Sequence, residues 1–372
     1  MSTPSQKIKI AYVIDNYIPG GGSENQLITL INHLDRTRFE PCVFNMRGHW
    51  SQGQYPDNCP VTFLNVNRLY SPRALGAIQK ITQFIRDEQV DIVQVYFVDS
   101  RLVGSLAARR ARRAKLVYCR RDLGMTHRWL RRRLARMADY CIVNAERVRQ
   151  MVVDVEQFPA DRIEVIYNGV ALKPDGSPEI TRQSLQIPEG VPIVGVIANY
   201  RPVKRLDRFL HVASSLSNKE THFLLIGRGQ LEAELRAQAE ALGIADRCRF
   251  FSTVDHIRDV LDLLTIGVST SESEGLSNVV IEYALAGKPA VAFDVGGNSE
   301  IIDDGRTGYI IPLADEPLML QRIEYLLANP EARLEMGAEA RVYSSEKFDV
   351  KTMVHRTESF YERVVNGEFR NK

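Results

Sequence analysis

With 372 residues, 44% of them hydrophobic and 25% charged, the chain has the make-up of an ordinary soluble globular protein. It is more than twice the common domain length of about 150 residues, so two domains of near-equal size are expected. Five cysteines (Cys42, Cys59, Cys119, Cys141 and Cys248), an odd number without Cys-x-x-Cys spacing, exclude a disulfide scaffold and a zinc site and fit a reducing cytoplasm. The net charge of +2 conceals a basic first part, +8 to residue 180, and an acidic remainder of −6.

In chain order, Ile8 to Ile14 reads as a buried strand that Asp15 ends after too short an apolar run for a signal peptide. No window reaches the roughly 18 apolar residues of a spanning helix, so any membrane contact is expected to be peripheral. Gly20 to Gly22 permit close backbone approach to a phosphate, and Ser23 can cap a helix over Glu24 to His33. Strand patterns at Pro41–Asn45, Ile92–Val95, Lys115–Cys119, Tyr140–Asn144 and Val165–Tyr167 alternate with helical ones at Ala74–Gln89 and Gly104–Ala111. Such alternation predicts a doubly wound parallel sheet. Leu172 to Val191, rich in proline and glycine, reads as a linker. A second alternating series has strands at Ile193–Ala198, Phe223–Ile226, Arg249–Phe251, Ile266–Ser269 and Ala290–Phe293. The expected architecture is α/β, with Rossmann-like domains at 1–173 and 190–349 facing each other across a cleft. A terminal helix over about Val350–Arg363 lies in the remaining segment, 350–372.

One compositional anomaly interrupts this pattern. Arg101 to Arg136 is dense in arginine, with Trp129 and Leu130 between clusters. Solvated helix faces are the plain reading; a peripheral surface for anionic lipid or an anionic acceptor is the sharper one. No nucleic-acid motif accompanies the charge, and no nucleic-acid partner is expected.

The most informative stretch runs from Ser269 to Ser299. A β-branched strand over Ile266–Thr270 leads to Gly275, which allows a tight turn, and Ser277 or Asn278 can cap a helix over about Val279–Ala286. Gly287-Lys-Pro ends that helix, and Ala290–Val295 is the next strand. The amides of Leu276 to Val279 then point out of a helix start at the carboxyl edge of a parallel sheet, where a diphosphate is well stabilised. Glu274 before the turn and Glu282 one helical turn later can both reach a single ligand. In isolation, two such carboxylates could simply be solvated groups favoured by the helix dipole. Arg201 and Lys204 follow another strand and could neutralise phosphate oxygens without a metal.

This Glu274-x7-Glu282 block resembles the signature of glycosyltransferase family 4, which has the GT-B fold and retains anomeric configuration. Further stretches are similar to the family's other landmarks and fall in its order over roughly residues 8 to 350. They are Pro19-Gly20-Gly21-Gly22-Ser23-Glu24, Tyr167-Asn168-Gly169-Val170, Arg201-Pro-Val-Lys204, Ile226-Gly227-Arg228-Gly229 and Asp303-Asp-Gly-Arg-Thr-Gly308.

The resemblance implies transfer of a sugar from a nucleoside diphosphate donor, UDP-linked, to a hydroxyl of a glycan or lipid-linked acceptor. Neither metal nor other cofactor is required. Glu282 would bind the ribose, and Glu274 would orient the sugar and stabilise the transition state. Arg201, Lys204 and the amides near Gly275, Leu276, Ser277, Asn278 and Val279 would stabilise the leaving diphosphate. Gly21, Gly22, Asn168 and Gly227 would approach the donor, with the base against Phe251 to Val254. Many relatives have arginine where this chain has Asn199, and Arg201 is expected to substitute. Where relatives often have a histidine that touches the transferred sugar, this chain has Cys119-Arg-Arg-Asp-Leu-Gly124. Three readings stay open there: Arg121 and Asp122 replace the histidine's role, His127 moves in, or Arg121 and Asp122 form a structural ion pair. Two rivals in function also stand, a GT-B nucleotide-sugar epimerase and a noncatalytic subunit of a polysaccharide assembly complex.

Overall fold

A computed structural model describes residues 7–16, 21–48, 56–124, 128–172, 180–252 and 257–368. The chain divides into two compact units, one of Met1–Gly169 with Val350–Lys372 and the other of Val170–Asp349.

The first unit runs β1 (Ile8–Ile14), α1 (Gly22–His33), β2 (Phe39–Asn45), β3 (Val61–Phe63), α2 (Pro72–Asp87), β4 (Ile92–Val95), α3 (Val98–Ala111), β5 (Lys115–Arg120), α4 (Arg128–Ala135), β6 (Tyr140–Val143), α5 (Glu146–Met151) and β7 (Ile163–Val165). Its sheet is parallel throughout, in the order β3-β2-β1-β4-β5-β6-β7. Helices cover both faces of such a sheet, which is why its strands read as unbroken apolar runs: Ile10 to Ile14 are wholly buried.

The second unit runs β8 (Ile193–Ile197), α6 (Leu206–Ser215), β9 (His222–Ile226), α7 (Glu232–Ala241), β10 (Cys248–Phe251), α8 (Ile257–Leu263), β11 (Ile266–Ser269), α9 (Asn278–Leu285), β12 (Ala290–Phe293), α10 (Asn298–Ile301), β13 (Gly308–Ile311), α11 (Glu316–Ala328) and α12 (Pro330–Lys347). Its parallel order is β10-β9-β8-β11-β12-β13. Both units are Rossmann-like, as the alternation implies.

The last helix, α13 (Val350–Asn366), packs on α1 and β1 of the first unit. Phe360, Tyr361 and Val364 are fully buried there, and Tyr361 Oη lies 3.1 Å from Tyr12 Oη and donates to Gln94 Oε1 at 2.7 Å. The two crossing points between units are adjacent, since Val170 N donates to Phe348 O at 2.8 Å.

Four differences from the sequence reading are physical. The expected linker 172–191 is in part folded: Ile180, Leu185 and Ile187 are buried, and Arg249 Nε donates to Leu185 O. Its prolines and glycines disguised these three apolar anchors. Strands β3 and β13, each at a sheet edge and no longer than four residues, lacked the length to stand out. The strand placed at Val165–Tyr167 instead occupies Ile163–Val165. Helix α1 begins at Gly22 with Gly21 as its cap, so Ser23 lies inside the first turn rather than capping it.

Candidate functional site

Helix α9 anchors the carboxylate loop. It starts at Asn278, one residue before the expected position, with Ser277 as N-cap in extended conformation and no capping bond from the Ser277 side chain. Helix geometry leaves the first-turn N–H groups without intrahelical acceptors. Tyr283 is fully buried, and its hydroxyl accepts from Ile197 N at 3.0 Å, which fixes the register of α9 against β8.

Glu274 and Gly275 are held from the far side by the turn after β12. Gly296 has φ +55°, and a Cβ there would fall on the carbonyl oxygens of Glu274 and Gly275. Gly297 N donates to Gly275 O at 2.7 Å. Only glycine meets both demands at 296. The Gly296-Gly297 pair is thus part of the site, and a double glycine just after a strand was the signal for it.

The basic loop between β8 and α6 joins the same group. Lys204 Nζ lies 2.6 Å from Glu274 Oε1, and both side chains are largely buried. Thr270 Oγ1 donates to Lys204 O at 3.0 Å, and Glu272 N to Val203 O at 2.9 Å, so the two loops are stitched together by backbone as well. Arg201 is exposed at the start of the short turn Pro202–Lys204.

Glu282 is half-buried, and its carboxyl makes no hydrogen bond or ion pair with the described residues. Protein surrounds it closely enough that desolvation alone pushes its pKa up to about 7. A carboxyl so placed can hold a proton or accept bonds from ligand hydroxyls near neutral pH.

Gly227 follows β9 and lies against Ala198, in the segment that leads from β8 to Arg201. Its φ is +147°, and a Cβ would overlap Ala198 O, so the missing side chain is needed for the approach of β8's own continuation. Gly227 N donates to Phe251 O at 2.8 Å, and Tyr200 N to Arg228 O at 3.0 Å. Val254, expected near the base, lies outside the described residues, as do Gly20 and His127.

In the first unit, Gly21 and Gly22 open α1, and Gln26 makes two bonds to the backbone of Gly169, next to Asn168. Arg121 and Asp122 do not pair with each other. Arg121 Nη2 donates to Asn168 Oδ1, whereas Asp122 receives Arg120 Nη1 at 2.7 and 2.8 Å and Gly124 N at 2.7 Å. The reading of Arg121 and Asp122 as an ion pair with each other is thus not met, because the cation that pairs with Asp122 is Arg120. Arg120 is itself buried beside Glu156, which also receives Arg101 at 3.1 Å. Two buried guanidinium groups share one buried carboxylate, and Glu156 closes a π-turn over Val152–Glu156.

The arginine run is therefore not one surface. Arg101 and Arg120 are interior, and Arg109 is tied to Met137 O and Asp139. Trp129, 69% exposed, and Arg133 remain at the surface on α4. No helix among the described residues is long and apolar enough to cross a membrane, and no three His, Cys, Asp or Glu side chains among them come together as a metal-binding group. The five cysteines are free.

Comparison with known proteins agrees with this geometry. Residues 20–173 match the family described as Glycosyltransferase Family 4, and residues 177–343 match Glycosyl transferases group 1. Among similar sequences, alpha-D-kanosaminyltransferase of Streptomyces kanamyceticus is 26% identical over 64% of each chain. N-acetyl-alpha-D-glucosaminyl L-malate synthase of Bacillus anthracis is 23% identical over 82% of each. Among solved folds, Anabaena HepE in complex with UDP has a TM-score of 0.82 at 22% identity, over 95% of this chain and 100% of that one. Sucrose-phosphate synthase from Thermosynechococcus elongatus has a TM-score of 0.83 at 17% identity, over 97% and 100%. With both halves matched in order and both sheets of the required kind, the chain belongs to glycosyltransferase family 4 and has the GT-B fold.

Proposed function

We propose that the protein is a retaining, metal-independent hexosyltransferase of polysaccharide or glycoconjugate biosynthesis. It moves a sugar from a UDP-linked donor to a hydroxyl of a glycan or lipid-linked acceptor. The observation that carries this reading is the convergence of Lys204, Glu274 and the start of α9 in one unit. In a front-face displacement, the acceptor oxygen bonds to the anomeric carbon as the bond to the diphosphate oxygen breaks. The acceptor proton passes to the departing diphosphate. Lys204 and Arg201 neutralise the charge that develops there, a role that preorganised cations fill without a metal. Glu274 orients the sugar, and Glu282 accepts from the ribose hydroxyls. Arg121 and Asp122 serve the acceptor side, each held by its own partner.

The UDP and UDP-glucose complexes of Anabaena HepE support the choice of nucleotide, and the acceptor is proposed by family analogy. Its proposed place is cytoplasmic, at the inner face of the membrane, a reading supported by the exposed Trp129 and Arg133 of α4, which suit an anionic lipid surface. The test is a panel of nucleotide sugars with and without candidate acceptors, with the anomeric proton of the product read by NMR and the assay repeated in EDTA. A retained anomer formed equally in EDTA is the expected result. An inverted product, epimerised free nucleotide sugar, or loss of activity in EDTA would each overturn the part concerned.

A further inference from the structure

Lys204 is followed by a residue in an unusual conformation. Arg205 has φ +49° and ψ +46°, the left-handed region, which is unfavourable for a side-chain-bearing residue and which glycine adopts freely. The guanidinium of Arg205 is fully employed in return. Nε and Nη2 reach Asp207 at 3.0 and 2.8 Å, at the first turn of α6, and Nη1 bonds to Glu272. Glu272 also receives Arg208 Nη2 at 3.4 Å.

Consecutive residues of one loop therefore hold alternate residues of the other: Lys204 takes Glu274, and Arg205 takes Glu272. The same two loops are also joined by bonds from Glu272 N to Val203 O and from Thr270 Oγ1 to Lys204 O. Side chains of Arg205 and Glu272 are 27% and 39% exposed. Ion pairs at that exposure add little to stability and do not offset the left-handed backbone. Their value lies in register.

We infer that Arg205 and Glu272 are a positioning pair, which sets the spacing between the cation loop of Lys204 and the carboxylate loop of Glu274 at the donor diphosphate. The inference rests on the proposed donor site and adds to it two residues that do not touch the donor.

Arg205→Gly relieves the backbone cost while removing the guanidinium, so it separates turn geometry from the pair. Glu272→Gln removes the charge from the other end. Each variant should fold, with Arg205→Gly melting no lower than the parent by more than a few degrees. Each should lower kcat for donor turnover about tenfold and weaken UDP binding by calorimetry several-fold. The double variant should fall well short of the product of the two single effects, since both lose the Arg205–Glu272 contact. Arg205→Lys should recover part of the loss. Hydrogen exchange gives a readout apart from activity, because the Glu272 amide should lose protection in Arg205→Gly.

Parental kcat and UDP affinity in Arg205→Gly, or single effects that multiply in the double variant, would overturn the pair while leaving the donor site intact. A parent protein that binds none of UDP, GDP or ADP would remove the donor site and this inference with it.

Discussion

The ammonium of Lys204 and the carboxylate of Glu274 lie 2.6 Å apart although 70 residues separate them in sequence. Each side chain fixes the other's rotamer, so one charge cannot be removed without loosening its partner.

Lys204→Ala should therefore do more than remove a phosphate contact. Turnover of the donor is expected to fall on the order of 100-fold, the scale seen when one preorganised electrostatic group is lost. Lys204→Arg should recover little, because a planar guanidinium does not reproduce a point contact at this distance. Steady-state kinetics on both variants check this, and parental kcat in Lys204→Ala would contradict it.

Glu282 should impose a pH dependence on stability. Its pKa of about 7 in the folded protein lies above the ordinary value of 4.5, so its contribution is fully present below pH 4.5 and is lost as pH rises through 7. Glu282→Gln carries no such loss. The variant should match the parent near pH 4.5 and exceed it by on the order of 2–3 kcal/mol at pH 8. Denaturant titrations across that range test this, and a gap independent of pH would refute it. UDP affinity, by contrast, should rise in the parent through pH 7 as the carboxylate forms, and stay flat and weaker in Glu282→Gln.

Gly296→Ala and Gly305→Ala make a matched pair. Both glycines have positive φ, but only at 296 would the added carbon meet the backbone of Glu274 and Gly275, whereas nothing lies within 4 Å at 305. Gly305→Ala should cost about 1 kcal/mol from conformation alone. Gly296→Ala should cost more, and should also impair donor binding by displacing Glu274. Equal losses in melting temperature and unchanged UDP affinity would count against that role.

Tyr361→Phe tests the seat of α13. The change leaves Gln94 Oε1 and Tyr12 Oη short of a partner in a fully buried place. Destabilisation of about 1–3 kcal/mol is expected, with activity per folded molecule preserved. Urea unfolding together with an active-site titration distinguishes this from a catalytic effect.

Much of this was legible in the sequence where local pattern decides structure. Residues 266–295 announced strand, turn, helix and strand through β-branching, Gly275, Ser277 and Gly287, and the structure follows within a residue or two. Long-range pairing was not legible. Nothing local tells that Lys204 finds Glu274, or that Asp122 turns to Arg120 instead of standing beside Arg121. The interior fate of Arg101 and Arg120 was hidden for the same reason, since their carboxylate, Glu156, lies 55 and 36 residues away from them. Arg205 escaped notice because a left-handed residue shows in sequence only when it is glycine or asparagine.

The adjacent crossings at Val170 and Phe348 make the second unit an insertion into the first. During synthesis, the first unit waits for its final helix until the whole of the other has left the ribosome. Until then Tyr12, Phe39 and their neighbours lack the cover of Phe360 and Tyr361. A chain cut at residue 349 would expose that apolar face permanently, whereas the second unit, contiguous from Val170 to Asp349, has every strand of its sheet within its own span.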